Sequence, residues 1–589
     1  MSRPVVSRPA CANICTVKVL LVGINAKFIQ TNLAIRLLRA YADFHSPAVR
    51  EGRTLIRIAE WNINNTVGSI VRGIVESEPD AVFFSTYLWN REITFKVIAD
   101  LRLLLPGLLI GLGGPEVSWS PDRTFVDCPC ADLLVIGEGE ESFADLISAL
   151  DSGALPNGIP GILVRKQDKP GSTPAKSRFL PRPPISDLDA IPFPYAPEMM
   201  DFDPENRIVY YESSRGCPFS CAYCLSSVDK GVRLYPLDRV LAEVATFLDR
   251  GFPLVKFVDR TFNLDPARYL AIWRFIRDRY NGKSLFHFEI AAEYLDEEAF
   301  SVLNTMPEGS IQLEIGIQSI NPETLLQVGR PAHPGILAEK IGRIPRSIHT
   351  HVDLIAGLPA DDIQSFSRSF DFAFALKADM LQLGFLKVLE GSPMHTIASQ
   401  SPEYRWTAVP PYEVLSSPCL SYRDLLVLKD VEQVLEAWYN SGLARNTIEA
   451  LVAPPSVVRP FDLFLQLAGF VRNYYPDGDL FLPRRPSDSF ACLAAFLSGR
   501  PELERLRFDF LLQGKPGAFP SWYERHYSKD LHDRALMERG LFDGPGGSRR
   551  TMYSLSEYDE FSFPGEGPVR FLFLYQGDLR KKKAQVFRV

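Results

Sequence analysis

Through the first 150 residues, short apolar runs rich in β-branched side chains alternate with segments whose apolar positions recur at helical spacing. The runs predict strands at residues 17–23, 55–60, 81–85, 108–116 and 133–137. The segments between them predict helices at residues 31–41, 67–76, 93–105 and 142–150. This alternation predicts an α/β fold, namely a Rossmann-like doubly wound parallel sheet whose ligands bind beyond the carboxyl ends of the strands.

The same alternation returns after a proline-rich stretch at residues 151–200, which predicts a stiff, extended linker. Strands are predicted at residues 207–212, 254–258, 285–290, 310–315, 351–356 and 381–385. Helices are predicted at residues 237–250, 266–280, 297–303, 336–344 and 363–376. Six strand–helix units predict a partial (β/α)6 barrel of the TIM type, with its chemistry at the carboxyl ends of the strands.

The last third of the chain is predicted to be mainly helical, with helices at residues 423–441, 459–473, 487–498 and 501–512. Irregular structure and one apolar strand at residues 569–575 are predicted to follow. A chain of this length divides into several domains. We predict an N-terminal tail (1–15), a Rossmann-like domain (16–150), the linker (151–200), the barrel (201–395) and a C-terminal domain (396–589).

Composition narrows the function classes. With 589 residues, 46% of them hydrophobic and 23% charged, the chain has the composition of an ordinary soluble globular protein. The formal charge of -7 gives no general basic footprint, so we expect no nucleic-acid partner and interpret the basic run at residues 580–583 as a solvated tail. Neither a signal peptide nor an apolar run of membrane-spanning length is evident, so no membrane partner is expected. Nine cysteines in so long a chain indicate a reducing cytoplasm rather than a disulfide framework.

Candidate chemistry centres on the loop after residues 207–212, where Cys217, Cys221 and Cys224 are spaced C-x3-C-x2-C. Three thiolates on one tight loop can hold three corners of a cubic iron–sulfur cluster and leave the fourth iron open for a substrate or cosubstrate. Two alternatives stay open here: a zinc site completed by a distant ligand, and buried structural thiols. Four other cysteines lack further ligands at suitable spacing and are interpreted as incidental thiols: Cys11, Cys15, Cys128 and Cys130.

This spacing, with Tyr223 just before the last cysteine, resembles the signature of the radical S-adenosylmethionine (SAM) superfamily. The resemblance implies a [4Fe–4S] cluster whose open iron chelates the amino and carboxylate groups of SAM. It implies further SAM contacts at the strand ends, with Asp259 and Asn263 standing where a Gly-Gly-Glu segment is usual. The implied SAM-binding residues are Tyr223, Asp259, Asn263, Glu314, Gln318, Ser319 and Gly357.

Other titratable residues of the predicted barrel receive a structural interpretation. Glu289 and Glu293 are interpreted as core carboxylates with satisfied partners rather than as direct participants in catalysis. His349 and His351 share one face of a strand, as a metal pair would, but no third ligand lies nearby in the sequence. No catalytic residue is assigned.

The first turn of the Rossmann-like domain, residues 23–27, lacks the G-x-G-x-x-G of dinucleotide sites. Placed before a radical SAM core, the domain resembles the cobalamin-binding domains of the cobalamin-dependent radical SAM class. No Asp-x-His-x-x-Gly segment occurs, and His45 is the only histidine before residue 287, so no histidine is expected beneath the cobalt. A degenerate module without ligand is the alternative. The implied cobalamin-binding residues are Asn25, Lys27, Ser85, Thr86, Tyr87, Trp89, Gly113, Gly114, Pro115, Glu116, Gly137, Glu138, Gly139 and Glu140.

The combined resemblance extends over most of the chain and includes residues 508–516, which are similar to a C-terminal domain of undefined function. It implies a methyltransferase that passes a methyl group from SAM through methylcobalamin to an unreactive carbon of a small-molecule or peptide-derived substrate. It also implies an external electron donor of flavodoxin or ferredoxin type. Dense aromatic residues in the tail, from Trp522 to Phe563, favour either core packing or a substrate lid, and the C-terminal domain is a candidate for substrate binding. The same residues favour an aromatic acceptor such as tryptophan in natural-product biosynthesis. The alternatives are ring contraction or cyclisation without methyl transfer, and a non-catalytic cobalamin and cluster sensor.

Overall fold

The structure is a computed structural model. It describes residues 16–154, 156–165, 179–330, 332–454, 456–541, 549–575 and 584–589. The predicted tail, with Cys11 and Cys15, and the basic run at residues 580–583 lie outside the described residues. Two compact units are formed, the first from residues up to Gly316 with Leu325–Thr350 and Phe385–Leu415, the second from Ile317–Thr324, His351–Gly384 and residues from Ser416 onwards.

The first unit opens with a six-stranded sheet in the order β2-β1-β3-β4-β5-β6, in which β1 to β5 are parallel and β6 is antiparallel to β5. Its elements are β1 (Val17–Asn25), α1 (Leu33–His45), α2 (Pro47–Arg50), β2 (Thr54–Asn62), α3 (Val67–Glu76), β3 (Ala81–Ser85), α4 (Arg91–Leu104), β4 (Leu109–Gly113), α5 (Pro115–Ser118), α6 (Pro121–Asp127), β5 (Leu133–Val135), α7 (Glu140–Asp151) and β6 (Ile162–Val164). The predicted doubly wound, Rossmann-like sheet is confirmed, with β6 as an added antiparallel edge.

Both faces of this sheet are buried, which explains its uninterrupted apolar runs. Along β1, Leu20 and Val22 pack into one hydrophobic cluster, while Val19 and Leu21 pack into another on the opposite face. Because successive side chains of a strand point to opposite faces, a run without polar positions needs cover on both sides. Helices on each side provide that cover, so the polar groups of this domain are concentrated at the strand ends.

A second parallel sheet begins after the linker. Within the first unit, β10 lies between β7 and β11, and β11 pairs with β12, all in parallel. From residue 208 to residue 416 the elements are β7 (Ile208–Tyr211), β8 (Ser214–Arg215), β9 (Arg233–Leu234), α8 (Leu237–Asp249), β10 (Leu254–Phe257), α9 (Pro266–Arg279), β11 (Leu285–Ile290), α10 (Glu297–Leu303), β12 (Ile311–Gln318), α11 (Pro322–Gln327), α12 (Pro334–Gly342), β13 (His349–Ala356), α13 (Ile363–Ala375), β14 (Met380–Phe385), α14 (Pro393–Ser399), β15 (Arg405–Trp406) and β16 (Val414–Ser416). All six long strands of the predicted barrel are present, and the α/β class of this core is confirmed.

The C-terminal part of the second unit is mainly helical, as predicted. A π-helical turn at Leu435–Asn440 continues the first of its helices. The elements are α15 (Tyr422–Val434), α16 (Arg445–Val452), α17 (Pro460–Tyr474), α18 (Pro486–Phe496), α19 (Leu503–Leu512), α20 (Lys529–Glu538), α21 (Arg549–Ser554), β17 (Ser556–Ser562), β18 (Pro568–Leu574) and β19 (Gln585–Arg588).

The end of the chain departs from the prediction of irregular structure around a single strand. β17, β18 and β19 form an antiparallel sheet, and alternate residues of β18 pack on its two faces. The dense tail aromatics mostly pack into two hydrophobic clusters, where Tyr523, Tyr558, Phe561 and Phe563 are buried. Core packing therefore accounts for these four aromatic residues, whereas Tyr527 is exposed.

Among the described residues, no helix combines the length and the apolar character needed to span a bilayer.

Candidate functional site

The cysteine loop follows β7. It is closed at its base by a short antiparallel pair, in which the two residues of β8 pair with the two residues of β9. The Cys217 amide donates to the Asp229 carbonyl at 3.1 Å, and Gly216 has a φ of 91°. A Cβ at Gly216 would lie 1.9 Å from the Gly231 carbonyl oxygen, so the crossing of the two loop segments requires glycine. The sequence thus folds the three-cysteine segment into a tight loop at the carboxyl end of a strand.

The three cysteines of this loop are free thiols; Cys217 and Cys221 are buried, and Cys224 is half-buried. Burial, with the neighbouring thiols, raises the pKa of Cys217. No three His, Cys, Asp or Glu side chains among the described residues converge as the ligands of one metal ion do. Three thiols on one loop match the ligand set of a [4Fe–4S] cluster with one open iron.

Two polar side chains beside the loop have unused donors. The Tyr223 hydroxyl is buried without a hydrogen-bond partner, and burial raises its pKa. Arg330 places Nη1 3.9 Å from the Cys221 Sγ and donates from Nη2 to the Gly316 carbonyl, while its Nε is buried without a partner. Buried donors without partners are uncommon. Together with the three thiols, they fit a group with acceptor atoms at this loop.

Asp259 and Asn263, two of the residues implied for SAM, have their side-chain hydrogen bonds taken by protein groups. The Asp259 carboxylate accepts from the Ser213 amide at 2.9 Å and from the Ser213 and Ser214 hydroxyls at 2.7 and 2.5 Å. Burial raises the pKa of Asp259. The Asn263 side chain exchanges two hydrogen bonds with the backbone of Ala291, at 2.8 and 2.9 Å. In this structure both residues brace strand ends around the cysteine loop.

Glu314 is held beside two cationic or hydrogen-donating side chains. His287 Nε2 lies 2.8 Å from Glu314 Oε2, and Lys256 Nζ lies 3.2 Å from the same oxygen. Burial opposes ionisation, but the hydrogen bond from His287 and the charge of Lys256 lower the pKa of Glu314 to about 2. These three residues come from the neighbouring parallel strands β10, β11 and β12. A negative acceptor is thereby fixed inside the sheet, where ribose hydroxyls could donate.

Glu289, on the same strand as His287, is half-buried, and partial burial raises the pKa of its carboxyl group. Glu293 is half-buried. His349 and His351 both lie on β13, the first exposed and the second half-buried. Neither pair belongs to a metal-binding group among the described residues.

Gln318, Ser319 and Gly357 belong to the second unit, described here by itself. Gln318 has a φ of 68° and a buried Oε1 without a partner, and Ser319 is buried. Gly357 has a φ of 93°. Nearby, Asp361 accepts from the Ser365 hydroxyl and keeps its Oδ2 buried without a partner; burial raises its pKa to about 6. A φ of this sign is strained for a residue with a side chain, so the surrounding structure must hold Gln318 in place.

At the carboxyl edge of the first sheet, the ends of β3 and β4 meet closely. The Thr86 amide donates to the Gly113 carbonyl at 2.7 Å, and Gly114 has a φ of 105°. A Cβ at Gly114 would lie 2.5 Å from the Thr86 carbonyl oxygen. Thr86 Oγ1 is buried without a partner, whereas the Ser85 hydroxyl accepts from Asn32 at 3.1 Å. A buried free hydroxyl at this edge fits a polar ligand, as a cobalamin site requires.

Two aromatic residues and the first turn complete this edge. Tyr87 and Trp89 stack with centroids 4.4 Å apart, and Trp89 Nε1 donates to the Ile24 carbonyl at 3.3 Å. Asn25 is buried and donates to the Gln30 carbonyl at 2.9 Å, while Lys27 is exposed. Pro115 opens the short helix α5.

The three acidic residues implied for cobalamin have protein partners. Glu116 accepts from the Tyr412 hydroxyl at 2.8 Å, and burial raises its pKa. Glu138 pairs with Arg233 at 2.6 Å, and Glu140 pairs with Arg215 at 2.5 Å. Gly137 and Gly139 lie on either side of Glu138 in the turn after β5. Gly137 has a φ of 81°, and the missing side chain of Gly139 leaves room for Leu38.

Cys128 and Cys130, interpreted as incidental thiols, belong to no metal-binding group among the described residues. Burial raises the pKa of Cys128 to about 11, so its thiol stays protonated at neutral pH. The residues that sequence reasoning missed are those that face the site from other segments. They are Arg215, Arg233, Lys256, His287, Arg330 and Tyr412. A local signal existed for two of them, because Lys256 is a charged residue on an otherwise apolar strand and Arg215 lies two residues before Cys217.

Comparison with known proteins identifies the domains. Residues 19–147 match the B12 binding domain, residues 211–373 the radical SAM superfamily, and residues 402–538 a family described as protein of unknown function (DUF4080).

Two curated relatives are similar over about half of this chain. The uncharacterized methyltransferase PH0819 of Pyrococcus horikoshii is 27% identical over 325 residues, which are 54% of this chain and 69% of that protein. The cobalamin-dependent radical SAM methyltransferase TokK of Streptomyces tokunonensis is 26% identical over 351 residues, 56% of this chain and 50% of TokK. The alignment thus spans only half the length of TokK.

Among solved structures, that of the cobalamin-dependent SAM radical enzyme OxsB, with aqua-cobalamin and SAM bound, aligns with a TM-score of 0.59 and 15% identity. The alignment covers 90% of this chain and 81% of OxsB. At this identity the similarity shows the fold alone. The B12 binding domain takes cobalamin, and the radical SAM domain takes a [4Fe–4S] cluster and SAM. The chain therefore combines a B12 binding domain with a radical SAM domain, the two domains that give cobalamin-dependent radical SAM enzymes their name.

Proposed function

We propose that the protein transfers a methyl group from SAM through cobalamin to an unreactive carbon of a small-molecule or peptide-derived substrate. In this reaction the S–CH3 bond of one SAM molecule breaks and S-adenosylhomocysteine leaves. A hydrogen atom of the substrate carbon passes to the 5′-deoxyadenosyl group of a second SAM molecule, which also releases methionine. Two electrons per turnover come from an external donor of flavodoxin or ferredoxin type. When bound, cobalamin would supply the methyl-carrying chemistry, and the cluster would supply the electron for cleavage of SAM.

One observation carries this proposal. Arg215, two residues before Cys217, forms a buried ion pair with Glu140, which follows the carboxyl end of β5 in the B12 binding domain. The cysteine loop and the carboxyl edge of the first sheet are therefore neighbours within one unit. Two cofactors that act in sequence on one substrate need their reactive atoms close together. The contact supports a shared reaction rather than two independent sites.

The residues with assigned tasks under this proposal fall into three groups. Cys217, Cys221 and Cys224 ligate the cluster. Glu314 accepts hydrogen bonds from the SAM ribose, with Tyr223, Gln318, Ser319 and Gly357 as further SAM contacts. Residues at the first sheet's edge, with Thr86 foremost because of its free hydroxyl, hold cobalamin with no protein histidine beneath the cobalt.

Turnover with SAM carrying a CD3 group tests the proposal. The anaerobically reconstituted, reduced enzyme is incubated with a set of small-molecule and peptide acceptors, and all products are analysed by mass spectrometry. The expected product carries the CD3 group, with S-adenosylhomocysteine and 5′-deoxyadenosine formed in equal amounts. A product without label indicates ring contraction or cyclisation instead, and an absence of any SAM consumption indicates a sensor.

A further inference from the structure

The turn after β5 carries two carboxylates, Glu138 and Glu140, on either side of Gly139. Both point into the stem of the cysteine loop, the hairpin in which Arg215 of β8 lies opposite Arg233 of β9. Arg215 Nη2 lies 2.5 Å from Glu140 Oε1, and Arg233 Nη1 and Nη2 lie 3.0 and 2.6 Å from the two oxygens of Glu138. One domain thus supplies both acids, and the other supplies both bases.

The ion pairs between the two carboxylates and the two arginines are buried enough to contribute to the stability of the stem. The side chains of Arg215 and Glu140 are 12% and 6% exposed. Burial opposes ionisation of Glu138, but the hydrogen bond from Arg233 and the charge of Arg215 lower its pKa. Removing one partner of a buried ion pair leaves an uncompensated charge, which is far costlier than losing a surface pair.

The stem itself is weak without this contact. Its hairpin has two residues on each side, and the loop closes around it through the bond from the Cys217 amide to the Asp229 carbonyl. A two-stranded hairpin of this size is not stable alone in water. The remaining acidic partners of Arg215 and Arg233 are Glu212 and Asp229, which belong to the stem or to the strand end beside it. Among the residues that the structure describes, the B12 binding domain alone ties the stem to a second element by ion pairs at both of its strands.

We propose that Glu138 and Glu140 are positioning residues for the iron–sulfur loop, rather than ligands of cobalamin as the resemblance implies. Their carboxylates hold Arg215 and Arg233, and these hold the stem that places Cys217, Cys221 and Cys224. The B12 binding domain thereby sets the order of the cluster loop. This inference does not depend on whether a methyl group is transferred.

The test uses the full-length, anaerobically reconstituted protein with Glu138→Gln and Glu140→Gln, singly and together. Hydrogen–deuterium exchange is followed in peptides covering residues 213–235, and cobalamin affinity is measured by equilibrium dialysis. Release of iron to a chelator and the low-temperature EPR spectrum of the reduced cluster are also recorded. The matched control is Glu141→Gln, which removes a carboxylate of the same helix that pairs with Arg182 instead.

We expect the double variant to exchange at least tenfold faster in residues 213–235 and to release iron faster, with an altered EPR spectrum. Cobalamin affinity is expected to stay within twofold of the wild type, and Glu141→Gln to match the wild type throughout. If the double variant does not fold, the same criteria apply to each single variant. The proposal is overturned by wild-type exchange in residues 213–235, by an increase in exchange spread over the whole chain, or by a loss of cobalamin affinity.

Discussion

The guanidinium of Arg330 lies beside the thiol of Cys221, with Nη1 3.9 Å from Sγ. Nη2 of the same side chain donates to the Gly316 carbonyl, and Nε is buried without a partner. Arg330 is thus a fixed positive charge next to one of the three cysteines that we propose as cluster ligands. Positive charge and hydrogen bonds to the sulfurs are among the factors that set the reduction potential of a cluster.

Replacement of Arg330 by methionine is expected to lower the reduction potential of the cluster, because the reduced cluster carries one more negative charge and loses a neighbouring cation. Arg330→Lys keeps the charge and is expected to show a smaller decrease. An EPR-monitored redox titration of the reconstituted protein measures both. The control is Arg343→Met, which removes a surface arginine paired with Glu297. An unchanged potential in Arg330→Met, with full iron content, would show that Arg330 does not act on the cluster.

Glu314→Gln is expected to weaken SAM binding about tenfold, equivalent to about 1.4 kcal/mol. The substitution removes a charged acceptor and leaves Lys256 and His287 without their carboxylate partner. Because the pKa of Glu314 is about 2, the carboxylate is ionised throughout pH 5 to 8, so its contribution to wild-type affinity should not change over that range. Anaerobic equilibrium dialysis with SAM checks both statements. Exposed Glu308 provides the control variant, Glu308→Gln, and equal affinities for the two variants would remove Glu314 from the SAM site.

We expect the C-terminal sheet to lose stability in acid because of the environment of His532. Its Nε2 lies 2.9 Å from the Ser556 hydroxyl, and burial, with the charges of Lys515 and Arg525, lowers its pKa to about 4. In the unfolded chain the imidazole of His532 takes up a proton at about pH 6.5. The contribution of the neutral imidazole to the free energy of unfolding is therefore complete above that pH and is lost as the pH falls towards 4. The loss reaches about 3 kcal/mol, because one pKa unit corresponds to about 1.4 kcal/mol.

Hydrogen exchange in residues 556–574 at pH 7.5, 6 and 5, corrected for the intrinsic rate, measures this loss. The variant His532→Gln is expected to be less protected at pH 7.5 and nearly independent of pH. Exposed His526 gives the control, and His526→Gln should behave as the wild type does. Equal protection of the wild type at pH 7.5 and 5 would contradict the prediction.

The three-cysteine loop gives the next prediction. Replacing Cys217, Cys221 and Cys224 together by alanine should abolish the broad absorption near 400 nm and bound iron, while cobalamin stays bound to the separate B12 binding domain. Replacing Cys11, Cys15, Cys128 and Cys130 should leave the cluster intact. Iron analysis and visible spectra of the reconstituted proteins decide this. A triple variant that keeps about four irons per chain would place the cluster elsewhere.

Sequence patterns predicted the sheets well because burial on both faces leaves a strong local signal, as in the alternating packing of β1. The short helices Pro115–Ser118 and Pro121–Asp127 were missed because so few residues carry no periodicity. The strand Ser556–Ser562 was missed for a different reason. Its acidic residues Glu557 and Asp559 are buried, and their partners Arg525 and Arg507 lie far away in the sequence.

The candidate site likewise contains features that the sequence predicted and contacts that it did not predict. The three cysteines lie within eight residues, so their spacing can be recognised directly in the sequence. Local motifs also suggested cofactor roles for Asp259, Asn263 and Glu140, but the structure engages these side chains with Ser213, Ala291 and Arg215. Such partners depend on how distant segments meet, and no local pattern encodes them.

The central claim is that a methyl group passes from SAM to cobalamin on this protein. The direct measurement is a single turnover of the reduced, reconstituted protein with SAM carrying a CD3 group and no acceptor, followed by mass spectrometry of the extracted corrinoid. We predict that the corrinoid carries the CD3 group, with one S-adenosylhomocysteine formed for each labelled corrinoid. A corrinoid that stays without label, although cobalamin is bound and reduced and SAM is bound, would contradict the account.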